Sequence, residues 1–153
     1  MTRQQTMLLA AAGSLALLGG AFLFQAIGYA PCKMCLWQRW PHAVAIALGV
    51  VALFAPSRVV AALGALAAAT TAGIGLYHSG VEQGWWEGPT SCTGSGNGLG
   101  GLTGADLLSV DAAPGIVLCD QISWQFLGLS MASYNAIFSV LLMFVWLSAL
   151  RRR

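Results

Sequence analysis

Long apolar runs, interrupted at only a few places, set the pattern of this chain. The first, Met7 to Phe24, carries no charge and is preceded by Arg3. It is longer than the apolar core of a secretory leader, about 7–15 residues. Gly28-Tyr29-Ala30 has the small-x-small look of a cleavage site, but Pro31 follows and should hinder the cut. The run therefore reads as an uncleaved first span over about residues 7–27. The second run, Ala43 to Ala55, is too short alone, since about twenty residues are needed to cross roughly 30 Å of hydrocarbon. It has to borrow residues upstream and is expected over about 36–55, with Trp37 and Trp40 as interfacial anchors and Arg39 reaching outward. Pro41 is expected to kink its first turns or to mark a break. A third span is expected over about 59–77, where Ala61, Ala65, Ala69 and Gly73 put a small residue at every fourth position. That stripe is either a close-packing seam or simply an alanine-rich helix. A last span over about 129–150 ends in three arginines.

Between the third and fourth runs lies a polar segment, about residues 78–128, that contains Gly94-Ser95-Gly96-Asn97-Gly98 and Gly100-Gly101. Such a composition cannot bury enough apolar surface to fold alone. Within it, Gly104 to Val110 carries Leu107, Leu108 and Val110 beside Asp106, which suits either a short helix on the membrane surface or irregular loop. The expected fold is thus an all-α membrane protein: a four-helix transmembrane bundle, one domain over residues 1–153, with a short outer loop at 28–35 and a long extracytoplasmic loop between the third and fourth spans.

Composition agrees, with 58% hydrophobic and 8% charged residues against roughly 25% charged in soluble domains. The placement of charge adds an orientation. Arg3, Arg58 and Arg151 to Arg153 flank the apolar runs, as cytoplasmic flanks do, whereas Glu82, Glu87, Asp106, Asp111 and Asp120 all fall in the long polar segment. Four crossings would leave both termini in the cytoplasm and the polar segment on the opposite side. A net charge of +2, with no basic stretch interleaved with aromatics, excludes nucleic acid as a partner.

The candidate chemistry is in four cysteines: Cys32-Lys33-Met34-Cys35 in the short outer loop, and Cys92 with Cys119 in the long one. An even count in an oxidising compartment is a disulfide signature. Three connectivities are open; Cys32 and Cys35 are near enough to bridge locally, which leaves Cys92 for Cys119. A Cys-x-x-Cys loop constrains little of the unfolded chain, so redox exchange suits it better than stapling. If the segment is helical, Cys32, Cys35 and Arg39 share one edge. A cation beside a thiol favours the reactive thiolate, which makes Cys35 the expected activated sulfur. Zinc is the competing reading, with Cys92, Cys119, His42 or His78 completing a site. The wide gap between Cys92 and Cys119 in a glycine-rich stretch is unlike the tight knuckles of structural zinc, and no metal is expected.

Pro31-Cys32-Lys33-Met34-Cys35-Leu36-Trp37-Gln38-Arg39, the second cysteine pair, and Cys119-Asp120 followed by Trp124-Gln125-Phe126-Leu127-Gly128-Leu129-Ser130 together resemble the DsbB family of bacterial disulfide-bond formation proteins. The likeness covers essentially the whole chain. It implies an enzyme of the bacterial inner membrane that reoxidises a DsbA-like periplasmic thiol oxidase and passes the electrons to ubiquinone or menaquinone. By the family pattern Cys92 forms the mixed disulfide with the partner, freed Cys119 attacks Cys32, and Cys35 leaves as a thiolate beside the quinone. Arg39 matches the family arginine near the quinone. Lys33-Met34 is more polar than the apolar pair associated with the family.

His78, just beyond the third span, is expected either to contact a quinone oxygen or to be an ordinary interfacial histidine, with Glu82 forming a solvated pair four residues on. Trp85-Trp86 is expected to anchor at the headgroups, and Tyr134 and Asn135 to bridge helices. Two alternatives compete with the thiol oxidase. One is a quinone enzyme like vitamin K epoxide reductase, whose Cys-x-x-Cys lies late in the bundle rather than after the first span. The other is a scaffold whose disulfides only restrain its outer loop, in which Arg39 would serve no purpose beside Cys35.

Overall fold

The computed structural model describes residues 1–89 and 117–152. Cys92, the glycine cluster and the Gly104 to Val110 segment lie outside the described residues. Four helices stand among the described residues: α1 (Arg3–Ala26), α2 (Lys33–Phe54), α3 (Arg58–Glu82) and α4 (Met131–Leu150). Three of them, α1, α3 and α4, are long and apolar enough to cross a membrane. In α2 the 22 residues are long enough, but Gln38, Arg39 and His42 interrupt its apolar character.

Each helix begins at a side-chain cap that takes up an orphan backbone N–H. Thr2 accepts from the Gln5 amide while the Gln5 side chain accepts from Thr2, a capping box. Ser57 accepts from Val60 and Ser130 from Ser133. In α2 the cap is Cys32, whose sulfur accepts from the Cys35 amide at 3.2 Å. The Cys-x-x-Cys segment, expected in an outer loop, is therefore the helix start. At the other end of the bundle, α3 continues five residues past Tyr77 and carries His78 and Glu82 on regular helix. Helix α2 runs through Pro41 without ending, at the cost of one backbone hydrogen bond to Trp37.

The fold also contains a feature the apolar pattern did not suggest. Gln125–Phe126 (β1) pairs antiparallel with Leu129–Ser130 (β2). Leu127 at φ 49° and Gly128 at φ 77° form the two-residue turn, and both central positions of such a turn need positive φ. This hairpin leads directly into the Ser130 cap of α4.

Small residues let α3 pack closely, with Ala61 and Ala65 of the every-fourth stripe taking part and Gly73 not. The buried face comprises Ala61, Gly64, Ala65, Ala68, Thr71, Ala72, Gly75 and His78, while Gly73 is exposed. A step of four residues overshoots a turn of 3.6 by about 40°, so a strict every-fourth stripe walks off the packed face within three steps. A Cβ at Gly64 would collide with the Trp146 ring of α4, which is fully buried. Around it cluster Met7, Ala10, Ala52, Val60 and Ala149.

Chain ends and the α2–α3 turn gather at one end of the bundle. Arg3 Nη2 donates to the Arg152 carbonyl at 2.7 Å and its Nη1 to that of Pro56 at 3.3 Å. All described cysteines are at the opposite end. Outward-facing Leu9, Phe22, Leu23, Phe54, Leu66 and Phe144 are more than half exposed, an apolar girdle that a bilayer would cover.

Candidate functional site

Cys32, as cap, holds its sulfur against the first turn of α2. Cys35 Sγ lies 3.0 Å away, and both are free thiols. Cys119 is disulfide-bonded and fully buried, and packs in one small cluster with Cys32, Met34 and Val81, Cys35 lying against it. The chain thus brings Cys119 from the segment before α4 onto the Cys-x-x-Cys pair at the start of α2.

The two vicinal sulfurs are electrostatically unequal. The two sulfurs hydrogen-bond across 3.0 Å, and His78 Nε2 stands 3.5 Å from that of Cys32. These contacts outweigh burial and pull the Cys32 thiol down to about 4, whereas the hydrogen bond with Cys32, then burial, then the charge on Cys32 push Cys35 up. The helix N-terminus favours a negative sulfur at the cap as well. The reduced pair therefore shares one proton, carried by Cys35, with the thiolate on Cys32. This differs from the expectation that Arg39 activates Cys35. Arg39 instead donates to Gln25 Oε1 at 2.7 Å and to the Ala21 carbonyl at 3.4 Å, and stacks over Phe22. Its charge is spent on α1.

His78 is held from three sides. Gln38 Nε2 meets Nδ1 at 2.9 Å, the Cys119 backbone hydrogen-bonds the ring, and Glu82 Oε1 lies 3.8 Å from Nε2. Glu82 is not the solvated partner expected from the sequence: its side chain is buried, and the Ser130 hydroxyl donates to it. The hairpin that delivers Ser130 thus closes over the acid.

Beside the thiols lies a cavity of about 380 Å³ between α1, α2 and α4. Its walls are largely apolar and aromatic, with Phe24, Trp124, Phe126, Tyr134 and Phe138, and Cys35, Gln38, Arg39, His42 and Asn135 line one side. Two buried polar atoms of these residues, Arg39 Nε and His42 Nδ1, have no hydrogen-bond partner among the described residues. Buried polar atoms are rarely left this way. The site can hold a flat apolar ring that carries polar groups at its edge, next to the Cys35 sulfur. His78 does not line this cavity; its ring faces Cys32, held by Gln38 and Glu82. A smaller recess does connect Cys32, Cys35, His78 and Glu82 with Gln121 and Ser123.

Of the remaining expectations, Asn135 bridges helices, donating to Gln38 Oε1 on α2 and to Thr71 Oγ1 on α3. Tyr134 donates to the Phe126 carbonyl and packs on Phe138. Trp86 folds back on α3, donating to the Tyr77 carbonyl and stacking on its ring, while Trp85 is 67% exposed. Gln38 as a site residue was not anticipated, nor was His42 at the cavity wall. Their signal was the polar stripe Cys35, Gln38, Arg39, His42 at helical spacing. By distance alone the Cys32, Cys35 and His78 ligand atoms, within 4.8 Å of one another, could also hold a metal ion.

Comparison with known proteins bears on that choice. A family model described as "Disulfide bond formation protein DsbB" matches residues 3–149. "Disulfide bond formation protein B" of Aromatoleum aromaticum (strain DSM 19018 / LMG 30748 / EbN1) is 32% identical over 128 residues, covering 77% of this chain and 74% of the relative. No solved structure gives a significant match. With its Cys-x-x-Cys pair at a helix start, a further cysteine packed against it, and a family match across nearly its whole length, the chain belongs to the DsbB family of disulfide bond formation proteins.

Proposed function

We propose that the protein is a membrane thiol:quinone oxidoreductase that reoxidises a DsbA-like periplasmic dithiol oxidase. It would lie in the bacterial inner membrane with four crossings, both termini cytoplasmic and the cysteines periplasmic. The single observation carrying this reading is the junction of Cys119, Cys32 and Cys35 at the edge of an apolar cavity.

In the first exchange a partner thiolate attacks the Cys92–Cys119 disulfide at Cys92, and the second partner thiol then displaces Cys92, leaving the partner oxidised and Cys92 and Cys119 as thiols. Cys119 then attacks Cys32 of the oxidised Cys32–Cys35 pair, expelling Cys35 as a thiolate. Attack of Cys92 on Cys119 restores the loop disulfide and releases Cys32. Two electrons and two protons now sit on the Cys-x-x-Cys pair. Stabilisation of the Cys32 thiolate makes Cys32 a good leaving group in that last displacement, because lower-pKa thiols leave faster.

The cavity fits a quinone: an apolar, aromatic-walled slot flanked by Cys35, with unpartnered polar atoms on Arg39 and His42. Ubiquinone or menaquinone bound there would accept the two electrons and two protons and leave as quinol. Arg39 is held by Gln25 in a fixed pose at the cavity wall, and Cys35 keeps the proton that the pair must give up. The aromatic walls exclude water, and lipid exposure of α1 and α4 admits an apolar tail.

The test is turnover of the purified full-length chain in detergent with a reduced DsbA-like partner and each quinone in turn. One partner disulfide should form per quinol. Absence of turnover with both quinones would overturn the reading.

A further inference from the structure

The orphan nitrogen of His42 has a definite sense. The polar side chains around it form a chain of hydrogen bonds whose direction can be read from one end. Gln38 Nε2 is 3.2 Å from the Met34 carbonyl, and a carbonyl only accepts. That fixes the Gln38 amide, so its Oε1 accepts from Asn135 Nδ2 at 2.7 Å. With the Asn135 nitrogen so assigned, its Oδ1 is the atom 2.9 Å from His42 Nε2. An oxygen in that place accepts, and His42 Nε2 therefore carries a hydrogen. Thr71 agrees. Its hydroxyl hydrogen goes to the Gln38 carbonyl at 3.2 Å, so toward His42 Nε2, 3.3 Å away, it can only accept.

A neutral imidazole has one ring hydrogen, which leaves Nδ1 with a lone pair. His42 is 3% exposed and lines the cavity, and Nδ1 has no partner among the described residues. No carboxylate on α1, α2 or α4 faces it, and Glu82, the one acid on α3, lies three helical turns beyond Thr71 and bonds Ser130. An isolated positive charge in such surroundings is costly, so the ring is neutral. Arg39 Nε, three residues earlier, is the opposite case, an N–H donor with nothing to bond. Two residues of the cavity wall thus carry, between them, one unused donor and one unused acceptor among the described residues.

An oxidised quinone presents two carbonyls, both acceptors. Its reduced form presents two hydroxyls, each a donor. We propose that His42 is a quinol-recognising residue, whose Nδ1 accepts a hydrogen bond from a hydroxyl of the reduced ring, so that the cavity holds quinol more tightly than quinone. This rests on the quinone reading of the cavity. Arg39 serves either form, whereas His42 serves only the reduced one. A hydrogen bond of this kind corresponds to about a tenfold preference, which raises the two-electron potential of the bound couple by about 30 mV.

Dissociation constants of a short-tailed ubiquinone and of its quinol, measured by calorimetry without oxygen on the full chain in detergent, test this. Two variants separate recognition from scaffolding. In His42→Gln the amide reaches the place of Nε2 and can keep the bond to Asn135, but nothing replaces Nδ1. In His42→Asn an amide stands at the place of Nδ1, and the Asn135 bond is lost. The expected result is a roughly tenfold quinol preference in the unmodified protein, lost in His42→Gln and kept in His42→Asn despite a lower melting temperature. Should the Asn variant not fold, the Gln variant alone decides. An unchanged preference in His42→Gln, or equal affinity for both forms in the unmodified protein, overturns the proposal and leaves the quinone site standing. If neither form binds the unmodified protein, the quinone reading falls and the proposal with it.

Discussion

Replacing His78 by alanine in the reduced protein should move the acidity of Cys32 by an amount the geometry sets. The Cys32 thiol is drawn from an ordinary 9.0 to about 4, first by the hydrogen bond from Cys35, against the opposing effect of burial, and then by His78. A hydrogen bond to a charged acceptor is worth about 1.5–3 kcal/mol, or roughly 1–2 pH units. The Cys32 midpoint should therefore rise by about that much, and Cys35→Ala, which removes the largest contributor, should raise it further. The assay is the pH dependence of Cys32 alkylation by iodoacetamide, followed on its own peptide by mass spectrometry. The sign also fixes a stability trend. A lowered folded value means that the contribution to the reduced fold is complete above the ordinary thiol value, declines as the pH falls, and is gone below about 4. An unchanged midpoint in His78→Ala, or a smaller shift in Cys35→Ala than in His78→Ala, would refute the assignment of the thiolate to Cys32.

Other outcomes follow from the same geometry. Arg39→Lys keeps the charge but loses the planar fork that spans Gln25 and the Ala21 carbonyl, so the apparent Michaelis constant for quinone should rise; an unchanged value removes Arg39 from the site. Cys92→Ser should abolish trapping of the mixed disulfide with the partner, whereas Cys35→Ser should still trap it while quinone reduction stops. Gly64→Ala pushes a methyl into the buried Trp146 ring, and overpacking of this kind costs about 1–3 kcal/mol, readable as a lower melting temperature with the cysteines unaffected.

How much of this was legible in the sequence depends on how local each cause is. Apolar runs mark helices because lipid-facing and core positions must both be apolar, so α1, α3 and α4 were readable to within a few residues. The caps moved the boundaries. Ser57 and Ser130 are recognisable caps, but Cys32 is rarely read as one, and that choice put the Cys-x-x-Cys pair on a helix. The α3 stripe, open between a packing seam and an alanine-rich helix, packs at Ala61 and Ala65 but not at Gly73, because four residues overshoot one helical turn. Glu82 appeared solvated since the Ser130 that covers it comes from 48 residues away. His42 shows the same limit more sharply: its partner Asn135 is 93 residues distant, and no local pattern reports which ring nitrogen is left over. The family was the most legible part, because the cysteine spacing carries its own constraint.

The relay stands or falls on passage of electrons from Cys119 to Cys32, two residues that the fold packs into one buried cluster. In the double variant Cys35→Ser, Cys92→Ser, those are the two cysteines left. Mild oxidation of the purified double variant, followed by peptide mass spectrometry, should yield an intramolecular Cys32–Cys119 disulfide in most molecules. Two free thiols after oxidation, or disulfides formed only between molecules, would contradict it.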